Sequence, residues 1–411
     1  MRMSIYIIRR CSLLFPVIIG VMTITFVLIS ALPMQQRLTS SFGPPPKGST
    51  GYNPTVLCTR LHINQSGECP NPLYLSDIHK LGLDRPIYTQ WAIYMFNSLT
   101  FNWGKVDNGS AAAATLAFIR GLTVVQALGA VLPYTLELAA VALLIVLGIS
   151  IPLGNLAAVN RNRPIDQVAR VVSFSGFALP AFLLGGFTAT AVIIVIIHFG
   201  GLTVHTPWCP GGEGAYFEVM GSWPLHTFCY THAGRLSTQG FPTWMPDGIK
   251  STPTGFPTVD AMLHHQYWLA VDTVLRMLLP ALVIAYGAIA GLLRFVRNSM
   301  LEVMNLDYVR TARAKGASES TVVRRHAGRN SLNVTITVLG LTFAFFVGGF
   351  PVIETVFDLN GVGRMLNFSI QTPLDYGLIF GSTLLFTYLV VFANIIVDVL
   401  YAYLDPRVRL G

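Results

Sequence analysis

Residues 294–330 read RFVRNSMLEVMNLDYVRTARAKGASESTVVRRHAGRN and form a polar, basic segment between two long apolar ones. Eight of these residues are Arg or Lys, against three that are Asp or Glu. The run from Met300 to Lys315 is rich in Leu, Met, Ala and Arg, which predicts a helix. Gly316 reaches left-handed dihedrals without steric cost, so it predicts the end of that helix, and Ser318 predicts the N-cap of a second one.

The chain on both sides of this segment has the composition of a membrane protein. Its 411 residues are 53% hydrophobic and 11% charged, whereas soluble domains carry about 25% charged residues. A net charge of +8 is also found in nucleic-acid-binding proteins, but here the basic residues cluster beside apolar runs rather than in one stripe. We therefore expect a lipid membrane around the chain and no nucleic-acid partner.

Six apolar runs are long enough to cross a bilayer, which takes about 20 mostly apolar residues. They lie at 10–32, 132–154, 171–199, 269–293, 333–356 and 377–402. The first run is longer than the core of a signal peptide, roughly 7–15 residues, so we expect a retained transmembrane helix.

The basic residues predict the orientation of these spans. Sixteen of the 27 Lys and Arg residues fall in the N-terminus, the loop after the second span, the segment 294–330 and the C-terminal tail. The positive-inside rule places these four short pieces in the cytoplasm. Both termini are then cytoplasmic, which agrees with an even number of spans.

The predicted fold class is an all-α integral membrane protein with six transmembrane helices and a large extracytoplasmic insertion. In chain order its parts are an N-terminal transmembrane helix at 1–32, an extracytoplasmic loop with surface helices at 33–131, transmembrane helices two and three at 132–199, an extracytoplasmic cap at 200–268, and transmembrane helices four to six at 269–411 with the cytoplasmic loop 294–330.

Two stretches of that loop carry a resemblance to a known family. Residues 307–316 read DYVRTARAKG and residues 325–333 read RHAGRNSLN. This pair resembles the cytoplasmic "EAA" loop of binding-protein-dependent ABC transporter permeases, in particular the dipeptide/oligopeptide/nickel branch. Two departures from the family pattern are Gly328, where a larger apolar residue is usual, and Val334, where Pro is common.

Further stretches resemble the same family. They are LGLDRP at 81–86, VIETVF at 352–357, GVGR at 361–364 and VDVLYAYLDPR at 397–407. The loop at 200–268 is usually much shorter in the family, so the resemblance does not explain it.

The resemblance implies a permease subunit that forms half of the translocation pathway of an ATP-driven importer in the cytoplasmic (inner) membrane. Its implied partners are a second homologous permease subunit, two ABC ATPase subunits and an extracytoplasmic substrate-binding protein. The chain contains no G-x-x-x-x-G-K-[ST] phosphate loop. We therefore expect no enzymatic activity and no cofactor on this chain, with ATP and Mg bound by the partner subunits.

The implied ATPase-coupling loop is a short helix and its C-terminal turn, expected to sit in a groove of the ATPase. Its residues are Asp307, Tyr308, Arg310, Thr311, Ala312, Arg313, Ala314, Lys315 and Gly316. Charge alone would equally describe a plain cytoplasmic loop that obeys the positive-inside rule.

Peptides are the predicted substrates, because this branch of the family mostly carries them. Some relatives carry nickel or oligosaccharides, so these are alternative substrates. Two other functional classes are alternatives. One is a stand-alone secondary transporter, which carboxylates inside the membrane would favour. The other is an integral-membrane enzyme, but the sequence shows no cluster of catalytic residues.

Glu137, Glu354 and Asp398 are carboxylates inside predicted spans. A charge in the bilayer centre is costly, so such residues usually face protein or water. They are candidates for lining the substrate pathway. The alternative is that each lies near an interface or pairs with a neighbouring subunit.

Four cysteines fall in the predicted extracytoplasmic loops: Cys58, Cys69, Cys209 and Cys229. An oxidising compartment favours disulfides, and four cysteines allow three connectivities. We favour Cys58–Cys69 and Cys209–Cys229, because each pair lies within one loop. A metal site remains an alternative for the second loop, because His205, His226 and His232 stand at ligand-like spacings from its cysteines.

Overall fold

The computed structural model describes residues 3–42, 51–57, 68–198, 254–263, 265, 267–357 and 359–404. Most of the predicted cap at 200–268 therefore lies outside the described residues. The described part is mainly helical. Its first third contains α1 (Met3–Ser30), α2 (Met34–Phe42), α3 (Pro72–Leu81), α4 (Ile87–Leu99) and α5 (Ala111–Thr115). The middle contains α6 (Val124–Val159), α7 (Pro164–Ala178), α8 (Ala181–His198), α9 (Pro257–Leu263) and α10 (Tyr267–Met304). The last part contains α11 (Asp307–Ala314), α12 (Glu319–Thr321), α13 (Gly328–Val347), α14 (Pro351–Val356), α15 (Val362–Ser369) and α16 (Tyr376–Leu404).

A small hairpin departs from the all-α prediction. Strands β1 (Thr55–Leu57) and β2 (Glu68–Pro70) pair antiparallel, with Val56 opposite Cys69. Each strand has only three residues, which is too short to leave a recognisable alternating pattern in the sequence. The other secondary-structure elements of the described residues are helices, as predicted.

Three described helices are long and apolar enough to cross a membrane: α6, the part of α10 from Thr273, and the part of α16 up to Val399. The pair formed by α7 and α8 adds a fourth crossing if it is counted as one bent span, and α1 contributes a shorter apolar helix at Phe15–Ser30. The protein is therefore a helical membrane protein with several apolar spans. The count of six and the orientation of the termini stay predictions.

Helix α6 begins eight residues before the predicted start of its span, at Val124. Thr123 and Gln126 explain the earlier start, because they form a capping box. The Thr123 hydroxyl accepts from the Gln126 backbone N–H at 3.3 Å, and the Gln126 side chain accepts from the Thr123 N–H at 3.0 Å. These bonds satisfy backbone donors that a helix start otherwise leaves unpaired.

The span predicted at 171–199 is broken. Helix α7 ends at Ala178, α8 begins at Ala181, and their axes differ by 99°. Pro180 provides the cause, because proline pushes the preceding residue out of the helical region. Leu179 accordingly has extended dihedrals, with φ −100° and ψ 111°.

The span predicted at 333–356 is wrong in its extent, because it contains two helices. Helix α13 ends at Val347, and α14 begins at Pro351. Between them Gly349 has φ +77°, a left-handed conformation that ends a helix.

The main hydrophobic core lies where α6 packs against α10, with α14 at one end. Buried members on α6 include Leu138, Ala142 and Val146, and those on α10 include Ala281, Ala285, Ile289 and Leu292. A second core joins the start of α6 to α5, α15 and the start of α16. These two cores hold the start and the middle of α6, the part of the helix that carries Thr135 and Glu137.

We predict that Thr123→Ala destabilises the protein by about 1 kcal/mol, because it removes the hydroxyl that caps α6. The thermal unfolding midpoint of the purified protein in detergent should fall. Thr123→Ser keeps a hydroxyl and is the matched control, expected to retain most of the stability. Equal midpoints for the Ala and Ser variants would contradict this role of the cap.

Candidate functional site

Helix α11 is amphipathic, and its inner face is anchored in a small hydrophobic cluster. Val309 is fully buried and Ala312 is 9% exposed. They pack with Met300 near the end of α10 and with Val322 and Ala327 beyond the turn. The segment from Met300 to Lys315, predicted as one helix, is divided between two, because α10 ends at Met304 and α11 begins at Asp307.

The outer face of α11 carries charged and aromatic side chains. The Asp307 side chain is 98% exposed and that of Arg310 is 70% exposed, with 3.6 Å between the carboxylate Oδ1 and the guanidinium Nη1. Exposed ion pairs of this kind contribute little to stability. These groups are therefore available to contact a partner.

The turn after α11 is closed by Gly316 and an ion pair. Gly316 has φ +79°, and its N–H donates to the Arg313 carbonyl at 2.9 Å. The Arg313 guanidinium donates to both carboxylate oxygens of Glu319, at 3.1 Å and 2.7 Å. These hydrogen bonds from Arg313 hold the pKa of Glu319 below its usual value. Ser318 caps α12 as predicted, because its hydroxyl accepts from the Thr321 N–H at 3.4 Å.

Tyr308 ties α11 to the start of α13. Its hydroxyl accepts from Asn330 Nδ2 at 3.0 Å and donates to the His326 carbonyl at 3.4 Å. The intervening segment, Val322–Ala327, is π-helical. This segment also explains why a glycine stands at position 328. A Cβ on that residue would lie only 2.8 Å from the Val323 carbonyl oxygen.

The remaining predicted coupling residues complete α11 and its C-terminal turn. The Thr311 hydroxyl donates to the Asp307 carbonyl at 2.9 Å, and the Lys315 N–H donates to the Thr311 carbonyl at 3.0 Å. Ala314 is exposed beside them. The structure therefore brings all nine predicted residues together in one compact element.

Glu137 lies on α6 and is nearly buried. Its carboxylate accepts from the Thr258 N–H at 2.9 Å and from the Thr258 hydroxyl at 3.3 Å. Thr258 is in the first turn of α9, near the C-terminal end of the predicted cap 200–268. Glu137 therefore joins α6 to the point where the chain returns from that segment.

Glu354 lies in the first turn of α14 and is fully buried. Its Oε1 accepts from the Thr135 hydroxyl at 3.1 Å, and its Oε2 accepts from the Arg364 N–H at 3.0 Å. The same Thr135 oxygen accepts from the Val362 N–H at 2.9 Å. Glu354 and Thr135 thus join α6, α14 and α15.

Thr135 was not among the predicted site residues. The available signal was a hydroxyl two positions before Glu137 in an otherwise apolar helix, but nothing local indicates its partner 219 residues away.

The other candidates are less defined. Asp398 is half-buried on α16. Cys69 is nearly buried on β2. Cys58, Cys209, Cys229, His205, His226 and His232 lie outside the described residues, so the disulfide pairs and the metal alternative stay predictions. Within the described ranges, no group of three or more His, Cys, Asp or Glu side chains is arranged to hold a metal ion.

Comparison with known proteins tests the resemblance carried by residues 307–316. The family described as binding-protein-dependent transport system inner membrane component matches residues 150–410. The chain is 30% identical over 407 residues to the oligopeptide transport system permease protein AppB of Bacillus subtilis (strain 168), which covers 99% of this chain and 100% of that protein.

Two Escherichia coli (strain K12) proteins are similar over comparable lengths. The probable D,D-dipeptide transport system permease protein DdpB is 31% identical over 403 residues, covering 98% of this chain and 97% of its own. The dipeptide transport system permease protein DppB is 29% identical over 405 residues, covering 98% of each chain. With a family match over more than half of its length, this chain belongs to the family of binding-protein-dependent transport system inner membrane components.

Proposed function

We propose that this chain is the permease subunit of an ATP-driven ABC importer and forms half of the pathway for di- or oligopeptides. The observation that carries the proposal is α11, an amphipathic helix anchored on its inner face and charged on its outer face. The relatives named as peptide permeases over nearly their full length support the substrate class. Nickel and oligosaccharides are the alternative cargoes.

In this proposal the outer face of α11 docks on one of two ABC ATPase subunits, which bind ATP and Mg. A second homologous permease subunit completes the pathway, and an extracytoplasmic binding protein delivers the substrate. The chain would cross the cytoplasmic (inner) membrane six times, with both termini and the loop 294–330 inside and the cap 200–268 outside.

The anchoring of α11 supports a mechanical role. Val309 and Ala312 pack against the end of α10, and the Arg313–Glu319 ion pair stabilises the turn that follows α11. A displacement of α11 by the ATPase would therefore be passed to α10 rather than absorbed by a loose loop. The prediction of a plain cytoplasmic loop does not account for this anchoring.

The intramembrane carboxylates take different places in the proposal. The hydrogen bonds of Glu137 to Thr258 and of Glu354 to Thr135 favour a role in joining helix ends. Asp398, half-buried on α16, is retained as the candidate for lining the pathway.

We also propose the disulfide Cys58–Cys69. Its support is that Cys58 directly follows β1 in the sequence while Cys69 lies on the paired strand β2. Mass spectrometry of the digested, alkylated protein should recover a linked peptide that reduction separates. Recovery of alkylated Cys58 and Cys69 without reduction would contradict it.

Affinity purification in mild detergent tests the docking role. The wild-type chain should bring with it a second permease and two ATPase subunits. Arg310→Glu reverses a charge on the outer face of α11 and should lower recovery of the ATPases about tenfold, an effect of like-charge contact across an interface. Arg161→Glu makes the same change on an exposed arginine after α6 and should leave recovery unchanged. Equal losses in the two variants would rule out a specific surface.

Gly316 tests whether the turn must be left-handed. No atom of the described residues lies within 4 Å of a Cβ built at Gly316, so only the dihedral angle opposes a side chain there. Gly316→Val should lower ATP-dependent transport, because left-handed dihedrals cost an ordinary residue about 1–2 kcal/mol. Gly316→Asn should retain most of it, since Asn visits this region readily. Equal transport by the two variants would show that the turn geometry is not required.

A further inference from the structure

A buried carboxylate outside the coupling helix lies in the first turn of α7. The Asp166 side chain is fully buried. Its Oδ1 accepts from Arg297 Nε at 2.5 Å, and its Oδ2 accepts from Arg297 Nη2 at 3.0 Å. This is the bidentate geometry in which a guanidinium binds a carboxylate most strongly. Arg297 belongs to α10, so the pair joins two helices.

Two further donors complete the surroundings of this carboxylate. Its Oδ2 also accepts from Arg170 Nη2 at 2.7 Å and from the Asn162 N–H at 2.9 Å. The Arg170 side chain is 46% exposed, whereas that of Arg297 is 14% exposed. Arg297 is therefore the buried counter-charge. Pulling α10 away from α7 would leave the buried Asp166 anion with only the half-exposed Arg170 as a counter-charge, and removing one partner of a buried ion pair is strongly unfavourable.

Helices α7 and α10 also contact each other near the C-terminal end of α7. The hydroxyls of Ser175 and Tyr286 share a hydrogen bond of 2.6 Å. Gly176 packs so closely against Ala290 that a Cβ would collide with it. Together with Asp166 and Arg297, these contacts run antiparallel along the two helices, so α7 and α10 are held along the length of α7.

Arg297 is also close to the coupling helix. It lies seven residues before Met304, where α10 ends, which corresponds to about 10 Å along a helix axis. Only Asn305 and Leu306 separate α10 from α11. A displacement of α11 that moves the end of α10 therefore reaches Arg297 within two helical turns.

We propose that Asp166 is a positioning residue that makes α7 move together with α10 when the coupling helix is displaced. The inference rests on the proposed function, because it needs a nucleotide-driven displacement of α11. Its consequence is that the motion also enters α8, which follows α7 after the bend at Pro180. The side chain acts through Arg297 and needs no contact with substrate.

A distance measurement tests the joint motion. Nitroxide labels at Gln167→Cys on α7 and Asn298→Cys on α10, both exposed positions, are read by pulsed EPR in the complete complex. With native Asp166 the distance should be the same in the nucleotide-free and the ATP–vanadate-trapped states. With Asp166→Asn it should change or broaden in the trapped state. A distance that changes with native Asp166, or that stays constant in both backgrounds, would overturn the proposal.

Transport per ATP separates positioning from mere stability. Reconstituted complexes are given labelled di-alanine and tetra-alanine with the copurified binding protein. Asp166→Asn should keep ATP hydrolysis per assembled complex within about twofold while transport per ATP falls about tenfold or more, as expected for loss of a buried pair. Asp375→Asn is the matched control.

Asp375 is also fully buried, but its carboxylate accepts from the backbone N–H groups of Asp107 and Leu378 at 2.8 Å and 2.9 Å. Its variant should lower the yield of complex without changing transport per ATP. Normal transport per ATP in Asp166→Asn would overturn the inference alone. A wild-type complex that moves neither peptide with ATP would overturn the proposed function, and the inference with it.

Discussion

The close packing of α6 against α10 holds the described helices together. Gly154 on α6 lies directly against Val296 on α10. A Cβ at Gly154 would lie 2.7 Å from Val296 Cγ1 and 3.3 Å from the Leu293 carbonyl oxygen. Lipid tails are as apolar as leucine, so helices in a membrane associate through such close fits of small residues rather than through the hydrophobic effect. Helix α11 and the buried carboxylates Glu137, Glu354 and Asp166 all contact this helix pair.

Buried polar groups then fix the two ends of the pair. At one end Thr135 and Glu137 of α6 reach Glu354 and Thr258. At the other end Arg297 of α10 reaches Asp166, 131 residues away in the sequence. A buried polar group costs more when unpaired than its hydrogen bond contributes. These contacts therefore select one arrangement of the helices, and the end of the pair that carries Arg297 gives α11 a firm support.

Local signals explain which features could be predicted from the sequence. The turn at Gly316 and the cap at Ser318 depend on single residues, and DYVRTARAKG identified the family that the match over 150–410 confirms. The break at Gly349 could not be read from hydropathy, because the apolar run continues through it. Thr135, which binds Glu354, and Thr258, which binds Glu137, each lie more than 100 residues from their partner, so the sequence shows that such charges are costly but does not show these contacts.

In the proposed function, ATP hydrolysis by partner subunits drives substrate through a pathway to which this chain contributes half. This role can be tested by uptake of labelled peptide into proteoliposomes that contain both permeases and both ATPases. We expect uptake that requires ATP and the binding protein and that stops when the ATPase subunits are left out. Uptake that needs no ATP, persists without the ATPases and follows an ion gradient would contradict it.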